Sequence, residues 1–281
     1  MDPYLVSPAG PQELTPALRL LFGGEVPALD CRDDVAVFVA RDAGWVGGAV
    51  LAQALPGALG VAWPPRAESP GAADALVRAA CDWLRDRGVK VCQAFASAAQ
   101  LPDADALTRN GFRRVTQLVS MRREVEPLPA APTTGGLAFR PASPLAAEFR
   151  DALLTTHDGT LDCPELNGER SADELLAGLT EPAPDTAWYL ASEAGGERAV
   201  GVVILATGPG EVELSYLGVV PAARGRGVGG ELVQFALSEA AAEGAVAVAV
   251  SADARNEPAL RIYRRLGFTE TERREVFLAE L

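Results

Sequence analysis

The residues best suited to chemistry lie between Glu211 and Phe268. Arg224-Gly225-Arg226-Gly227-Val228-Gly229 stands between an apolar, β-branched run at 212–220 and a helical run at 231–242. Pro221 has no N–H for a ladder and ends the strand. Glycines in such a turn let the chain bend tightly and aim several N–H groups one way, and the positive end of the next helix reinforces them. The chemistry this predicts is anion binding: a phosphate cradle where the helix begins, near Gly229. On the strand before it, Glu211 and Glu213 are two apart and face the same way. Ser251, Asn256 and Tyr263 follow downstream. Upstream, Asp158, Asp162 and Glu165 cluster with His157, the single histidine.

Two kinds of site use such a cradle. Gly225, Gly227 and Gly230 satisfy G-x-G-x-x-G, the dinucleotide pattern. There the first glycine follows its strand almost directly, whereas here 221–224 intervene, and 231–281 leave little room for further strand–helix units. Val219-x-Pro221-x-x-Arg224-x-x-Gly227-x-Gly229 instead resembles the acyl-CoA pyrophosphate loop of the GNAT superfamily of N-acyltransferases. Asn256-x-x-Ala259-x-x-x-Tyr263-x-x-x-Gly267-Phe268 is similar to a later pattern of the same superfamily.

The resemblance implies roles. Acetyl-CoA would be the co-substrate. Backbone N–H groups of Gly225, Arg226, Gly227, Val228 and Gly229, with Arg224, would hold its pyrophosphate. Pantetheine would lie along Leu217–Val219 as an added strand, with Asn256 against it. The Val219 N–H would polarise the thioester carbonyl. Tyr263 would protonate the leaving thiolate, and Glu213 or Glu211 would take the proton of the acceptor ammonium. Ser251 would hold a bridging water. The loop with Asp158, Asp162 and Glu165 falls where these enzymes shape the acceptor pocket. Arg261, Arg264 and Arg265 read as a solvated helix face, and His157 as a loop or helix-end residue. The acceptor is expected to be a small-molecule or peptide amine. The competing reading is a non-catalytic module that binds or senses acyl-CoA.

Periodicity supplies the elements that must carry these residues. The second half reads as strand 137–140, helices 144–154 and 171–178, a hairpin of strands 188–193 and 197–207, and the central strand. Helix 230–243, strand 245–251, helix 258–266 and strand 270–278 follow. The first half repeats the order: helix 12–22, strands 36–40, 44–54 and 57–63, helix 70–87, strand 89–95, helix 103–110, strand 114–122. Pro65 and Pro221, Leu76 and Leu232, Gly88 and Gly244, Gly111 and Gly267, and Phe112 and Phe268 all lie 156 residues apart. Upstream, matching Val46-Gly47 with Val200-Gly201 gives 154. In the 156 frame, Glu68-Ser69-Pro70-Gly71-Ala72-Ala73 stands opposite the cradle, with an acid for the arginine and a proline for an N–H.

The expected fold is therefore α/β (α+β): two tandem GNAT-type domains, each a mixed, mostly antiparallel sheet flanked by helices. The layout resembles that of mycothiol synthase and other two-domain members of the superfamily. Residues 1–125 would be a degenerate copy, 126–136 a linker and 137–281 the acetyl-CoA-binding catalytic copy. The 281 residues are 48% hydrophobic, enough for two cores, and carry a net charge of −13. That charge argues against nucleic acid and anionic membrane as partners and mildly favours cationic acceptors. Cys31, Cys81, Cys92 and Cys163 have no C-x-x-C spacing, and a single histidine argues against a histidine metal site. Met1-Asp2-Pro3 has no signal-peptide character, so a reduced, cytoplasmic setting is expected, as a monomer or homodimer. The uncharged part of 44–65 contains Pro56-Gly57 and reads as two strands and a turn, not a membrane span.

Overall fold

The computed structural model describes residues 5–24, 33–42, 45–125, 136–180 and 185–281. The expected turn at Ala43-Gly44, Cys31, and the expected linker apart from Gly136 lie outside the described residues. The chain divides into two compact units. Unit 1 is Met1–Thr116, Glu165–Glu174 and Arg274–Leu281; unit 2 is Gln117–Pro164 and Leu175–Arg273.

The first half contains β1 (Leu5–Pro8), α1 (Pro11–Phe22), β2 (Val35–Asp42), β3 (Trp45–Leu55), β4 (Leu59–Ala62) and β5 (Arg66–Ala67). Then come α2 (Pro70–Arg85), β6 (Val91–Ala96), α3 (Leu101–Arg109) and β7 (Arg113–Glu124). The second half contains β8 (Leu137–Pro141), α4 (Ala147–His157), α5 (Ala172–Thr180), β9 (Thr186–Glu193), β10 (Ala199–Gly208) and β11 (Glu211–Val219). It ends with α6 (Val228–Ala242), β12 (Ala247–Asp253), α7 (Glu257–Arg265) and β13 (Thr269–Glu280). The helix expected at 144–154 begins three residues later and runs to His157.

In unit 1, β1, β2, β3 and β4 pair antiparallel in order and β4 pairs parallel with β6. In unit 2, β8, β9, β10 and β11 pair antiparallel in order and β11 pairs parallel with β12. Each sheet is completed by a strand from the other half of the sequence. Glu275–Glu280 pairs antiparallel with β6 in unit 1, and Leu118–Glu124 pairs antiparallel with β12 in unit 2.

The repeat is visible in packing. α3 and α7, and β7 and β13, coincide at both ends in the 156 frame. On α2, Ala72, Leu76, Val77, Ala80, Cys81 and Leu84 are buried; on α6 the equivalent Val228, Leu232, Val233, Ala236, Leu237 and Ala240 are buried. The upstream frame is 153, not 154. Gly47 in β3 and Val200 in β10 are the extra residues of matching bulges. The glycine after each bulge faces its helix: a Cβ on Gly48 would lie 3.1 Å from Leu76 Cδ1, and one on Gly201 would lie 2.8 Å from Leu232 Cδ1.

On the other face of the unit 2 sheet, Phe149, Leu153, Leu176, Leu190, Val202 and Ile204 form a second core under α4 and α5. Gly218 sits where α4 comes closest. A Cβ there would lie 2.5 Å from Thr156 Oγ1 and 2.6 Å from Thr156 Cβ. Gly218→Ala is therefore expected to lower stability by about 1–3 kcal/mol through overpacking. Urea unfolding checks this, and an unchanged midpoint would refute it.

Candidate active site

β11 and β12 run parallel but pair only at Glu211–Ala247, Val212–Val248 and Glu213–Ala249, although both strands continue. The cause lies on the far side of β11. Leu214 pairs with Leu205 and Tyr216 with Ile204, so Ser215 is an extra, bulged residue. The bulge switches which side chains face α6. Val212 and Leu214 face it before the bulge, and Leu217 and Val219 after it. It also bends β11 away from β12. Val220 N–H donates to Val200 O at 3.0 Å. By alternation the backbone groups of Leu217 and Val219 then point away from β10, into the opening, where β12 no longer pairs with them.

The opening leads to the glycine turn. Gly225 and Gly227 have φ of +75° and +87°, values that favour glycine. Gly227 is the N-cap of α6 and has no side chain to cap it. Among the described residues, the N–H groups of Gly225, Arg226, Gly227, Val228 and Gly229 donate to nothing. In unit 1, Ser69 caps α2 and its Oγ accepts from Ala72 N–H. Arg224 does not face the turn. Its Nε donates to Val219 O at 3.1 Å, Nη1 to Gly159 O at 3.2 Å and Nη2 to Thr156 O at 2.9 Å. Arg226 pairs with Glu193 at 2.6 Å.

The two glutamates differ. Glu211 pairs with Arg122 at 3.4 Å, while Glu213 is exposed and its carboxylate has no partner among the described residues. Ser251 lies within β12, two residues before its end, and shares the face of Glu213 through the Glu213–Ala249 pair. Its Oγ is 3.0 Å from Ser120 Oγ on β7. Tyr263 is 5% exposed on α7, and its hydroxyl makes no hydrogen bond among the described residues. Burial first, then the charge of Asp162, raises its pKa. Asn256 caps α7: its Oδ1 accepts from Ala259 N–H at 3.3 Å and its Nδ2 donates to Asp162 Oδ2 at 3.2 Å. Asp162 Oδ1 accepts from Asp253 N–H at 2.7 Å. The residue is exposed as a whole, yet its carboxyl turns inward, and desolvation raises its pKa against those two bonds. Asp158 is exposed at the end of α4. Glu165 counts with unit 1 and is not among the residues that unit 2 gathers.

Sequence reasoning missed one cluster. Thr156 Oγ1 donates to Leu153 O at 2.6 Å, so at 2.7 Å it accepts the Tyr216 hydroxyl proton. His157 stacks on Tyr216 with ring centroids 5.2 Å apart, and Nδ1 lies 3.0 Å from Leu153 O and 3.1 Å from Tyr216 Oη. A carbonyl only accepts, so Nδ1 carries the proton. The signal was present: apolar residues at 212 and 214 change phase to 217 and 219, which marks the bulge that turns Tyr216 toward α4.

A family model described as acetyltransferase (GNAT) family matches residues 154–268. A mycothiol acetyltransferase of Pseudarthrobacter chlorophenolicus is 31% identical over 222 residues, covering 76% of this chain and 67% of that protein. The chain belongs to the acetyltransferase (GNAT) family. A second mycothiol acetyltransferase, from Thermomonospora curvata, is 33% identical over 198 residues, 69% of this chain and 64% of that protein. The chain thus spans about two thirds of the length of the curated relatives it matches. A GCN5-related N-acetyltransferase from Sphaerobacter thermophilus superposes over 100% of this chain and 96% of its own, with a TM-score of 0.68 at 20% identity. A tandem GNAT protein from the clavulanic acid biosynthesis pathway superposes over 99% of this chain and 98% of its own, with a TM-score of 0.60 at 16% identity. These two likenesses show the fold: a GNAT architecture in tandem. Among the described residues no helix is long and apolar enough to cross a membrane, and no three His, Cys, Asp or Glu residues are grouped to hold a metal ion.

Three tyrosines of this GNAT chain share one consequence. Burial, then the Glu239 carboxylate that accepts its proton, pushes Tyr189 up to about 12. Burial pushes Tyr216 up to about 12, and Tyr263 shifts the same way. In the unfolded chain such groups ionise near about 10. The folded state holds protons that the unfolded state releases, so stability is full below that value and is lost as pH rises. Denaturant midpoints are expected to fall steadily from pH 10 to pH 12, while phenolate absorbance of the folded chain lags behind that of the unfolded chain over the same window. A flat midpoint there would contradict the burial argument.

Proposed function

We propose that unit 2 transfers an acetyl group from acetyl-CoA to a primary amine by direct attack in a ternary complex. The observation that carries this reading is the open edge of β11, which leads straight to five unbonded amides. A pantetheine arm carries its own amides and adds to such an edge as a short strand, while its pyrophosphate suits the amides of Gly225 to Gly229 at the positive end of α6. Acetyl-CoA supplies the activated acyl group. Leu217 and Val219 orient the arm, and the Val219 N–H polarises the thioester carbonyl. Arg224 steadies the turn from behind, and Asn256 does so for α7 by capping it.

Proton transfer falls to two groups. Glu213, exposed and unpaired, takes the proton of the acceptor ammonium, directly or through a water held at Ser251. Glu211 is the weaker choice because Arg122 already holds it. Tyr263 keeps its proton throughout the working pH range and delivers it to the departing thiolate. The relatives are named for acetyl transfer involving mycothiol, which supports a small-molecule amine as acceptor. The Asp158 carboxylate, unpartnered among the described residues, suits a cationic one.

Free thiol released from acetyl-CoA over a panel of small amines, amino acids and peptide N-termini tests the reading. Turnover with at least one small amine is expected. Binding of acetyl-CoA with no release from any amine would favour the non-catalytic reading. Gly229→Asp is expected to weaken acetyl-CoA about tenfold or more, since it places a carboxylate beside the phosphates. Its Cβ also meets Ile262 Cδ1 at 3.1 Å, so a melting curve must accompany the calorimetry. Glu213→Gln is expected to cut kcat about 100-fold, with partial recovery at higher pH as more free amine forms. Tyr263→Phe should lower kcat by about the same factor while acetyl-CoA binding holds. Full activity of Glu213→Gln across pH would move the base elsewhere.

A further inference from the structure

The segment from Asp158 to Cys163 is tied down at both ends, to two different strands. At its start, Arg224 joins Thr156 O and Gly159 O to Val219 O, beside the end of β11. An arginine is well placed on the Thr156 and Gly159 carbonyls because they lie at the negative end of α4. At the other end, Asp162 Oδ1 accepts from Asp253 N–H at 2.7 Å and Oδ2 from Asn256 Nδ2 at 3.2 Å. Cys163 N–H donates to Asp253 Oδ2 at 3.1 Å. Asp253 ends β12, is 2% exposed and is gripped by Arg255, whose N–H donates to Oδ1 at 2.8 Å and whose Nη2 donates to Oδ2 at 2.7 Å. It is a firm anchor.

The two strands so joined are the pair that stops pairing after Glu213–Ala249. The segment therefore bridges their open ends. Its length fits that task. The three residue steps from Gly159 to Asp162 reach about 10 Å when extended. An opening that takes one inserted strand spans two strand spacings, also about 10 Å. A shorter link would pull the strands together, and a longer one would leave the opening uncovered.

We propose that Asp162 is a positioning residue that holds 158–163 as a strap over this opening, so that the thioester meets the acceptor amine and not bulk water. The inference rests on the acetyl-CoA reading above. The reaction it suppresses is hydrolysis. A water oxygen bonds to the acetyl carbon, the C–S bond breaks, and the proton passes to the CoA thiolate, giving acetate and free thiol. The two charge-assisted bonds to Asp162 stand beside the Cys163 N–H bond to Asp253 at the far end, and they are the two that a change at one side chain removes.

The test uses the full chain and acetyl-CoA with no amine present, following free thiol. Asp162→Ala is expected to raise thiol release about fivefold or more by admitting water, with acetyl-CoA affinity held within about threefold. Asp162→Asn keeps an oxygen that accepts from Asp253 N–H but turns an NH2 toward Asn256 Nδ2, so its release should rise less than that of the alanine variant. Amide exchange at 159–163 should quicken most in the alanine variant. If Asp162→Ala does not fold, two glycines inserted after Thr160 lengthen the strap with both anchors kept, and the same rise is expected. Release unchanged in whichever variant folds, with acetyl-CoA bound, overturns the strap and leaves the transferase reading standing. Failure of the parent chain to bind acetyl-CoA in calorimetry overturns both.

Discussion

Parallel strands normally stay paired as long as both continue, because every lost pair leaves donors and acceptors without partners. β11 and β12 part after three pairs, and unit 2 is arranged around that break. The bulge at Ser215 makes it tolerable. By shifting phase, it lets Leu217 and Val219 keep packing toward α6 after the strand has bent, so the core stays filled while the ladder opens. The unpaired backbone groups then face an accessible opening, where water or a ligand satisfies them. Glu213 stands just before the bend, the free edge just after it, and the glycine turn beyond. One kink in one strand sets the order of all three.

Much of this was legible from residue types. Pro221 and the glycines of 225–229 announced the turn, because few other residues allow it. The 156-residue frame announced the second copy, because buried positions on a helix recur wherever the same sheet lies beneath it, as Leu76 and Leu232 do. What was not legible arises from contacts between distant segments. Arg224 reads as a phosphate ligand by position in a motif, and only tertiary structure shows its guanidinium on the carbonyls of Thr156 and Gly159. Asp162 reads as one acid among several in a loop, and nothing local says that Asp253 and Asn256 hold it. The exchanged strands were illegible for a related reason. The apolar pattern of 118–124 states that a strand exists and is silent on its neighbour.

The two copies differ where the anion site is proposed. Their α3 and α7 share the same bounds, and α2 and α6 bury the same positions, so the scaffold is common property. They differ in β4, which stops after four residues where β11 runs for nine. They differ also in the helix start that follows. Ser69 satisfies the first turn of α2 from within, as a good cap should. Gly227 leaves the first turn of α6 unsatisfied. A capped helix is the more stable arrangement in isolation, and an uncapped one leaves its first amides open to an anion. Unit 1 has the former chemistry and unit 2 the latter.

The strand exchange between the halves bears on how the chain is made. β6 belongs to the first half of the sequence, yet it is flanked by Glu275–Glu280 from the second half. Until that segment pairs with it, β6 presents a bare edge of Val, Cys, Ala and Phe, a template for pairing with whatever strand is near. Folding domain by domain, from the first to the second, is thereby closed to this chain. The early half must wait, shielded or only loosely collapsed, until 275–280 has been made. Completing the first sheet thereby becomes part of folding the second half.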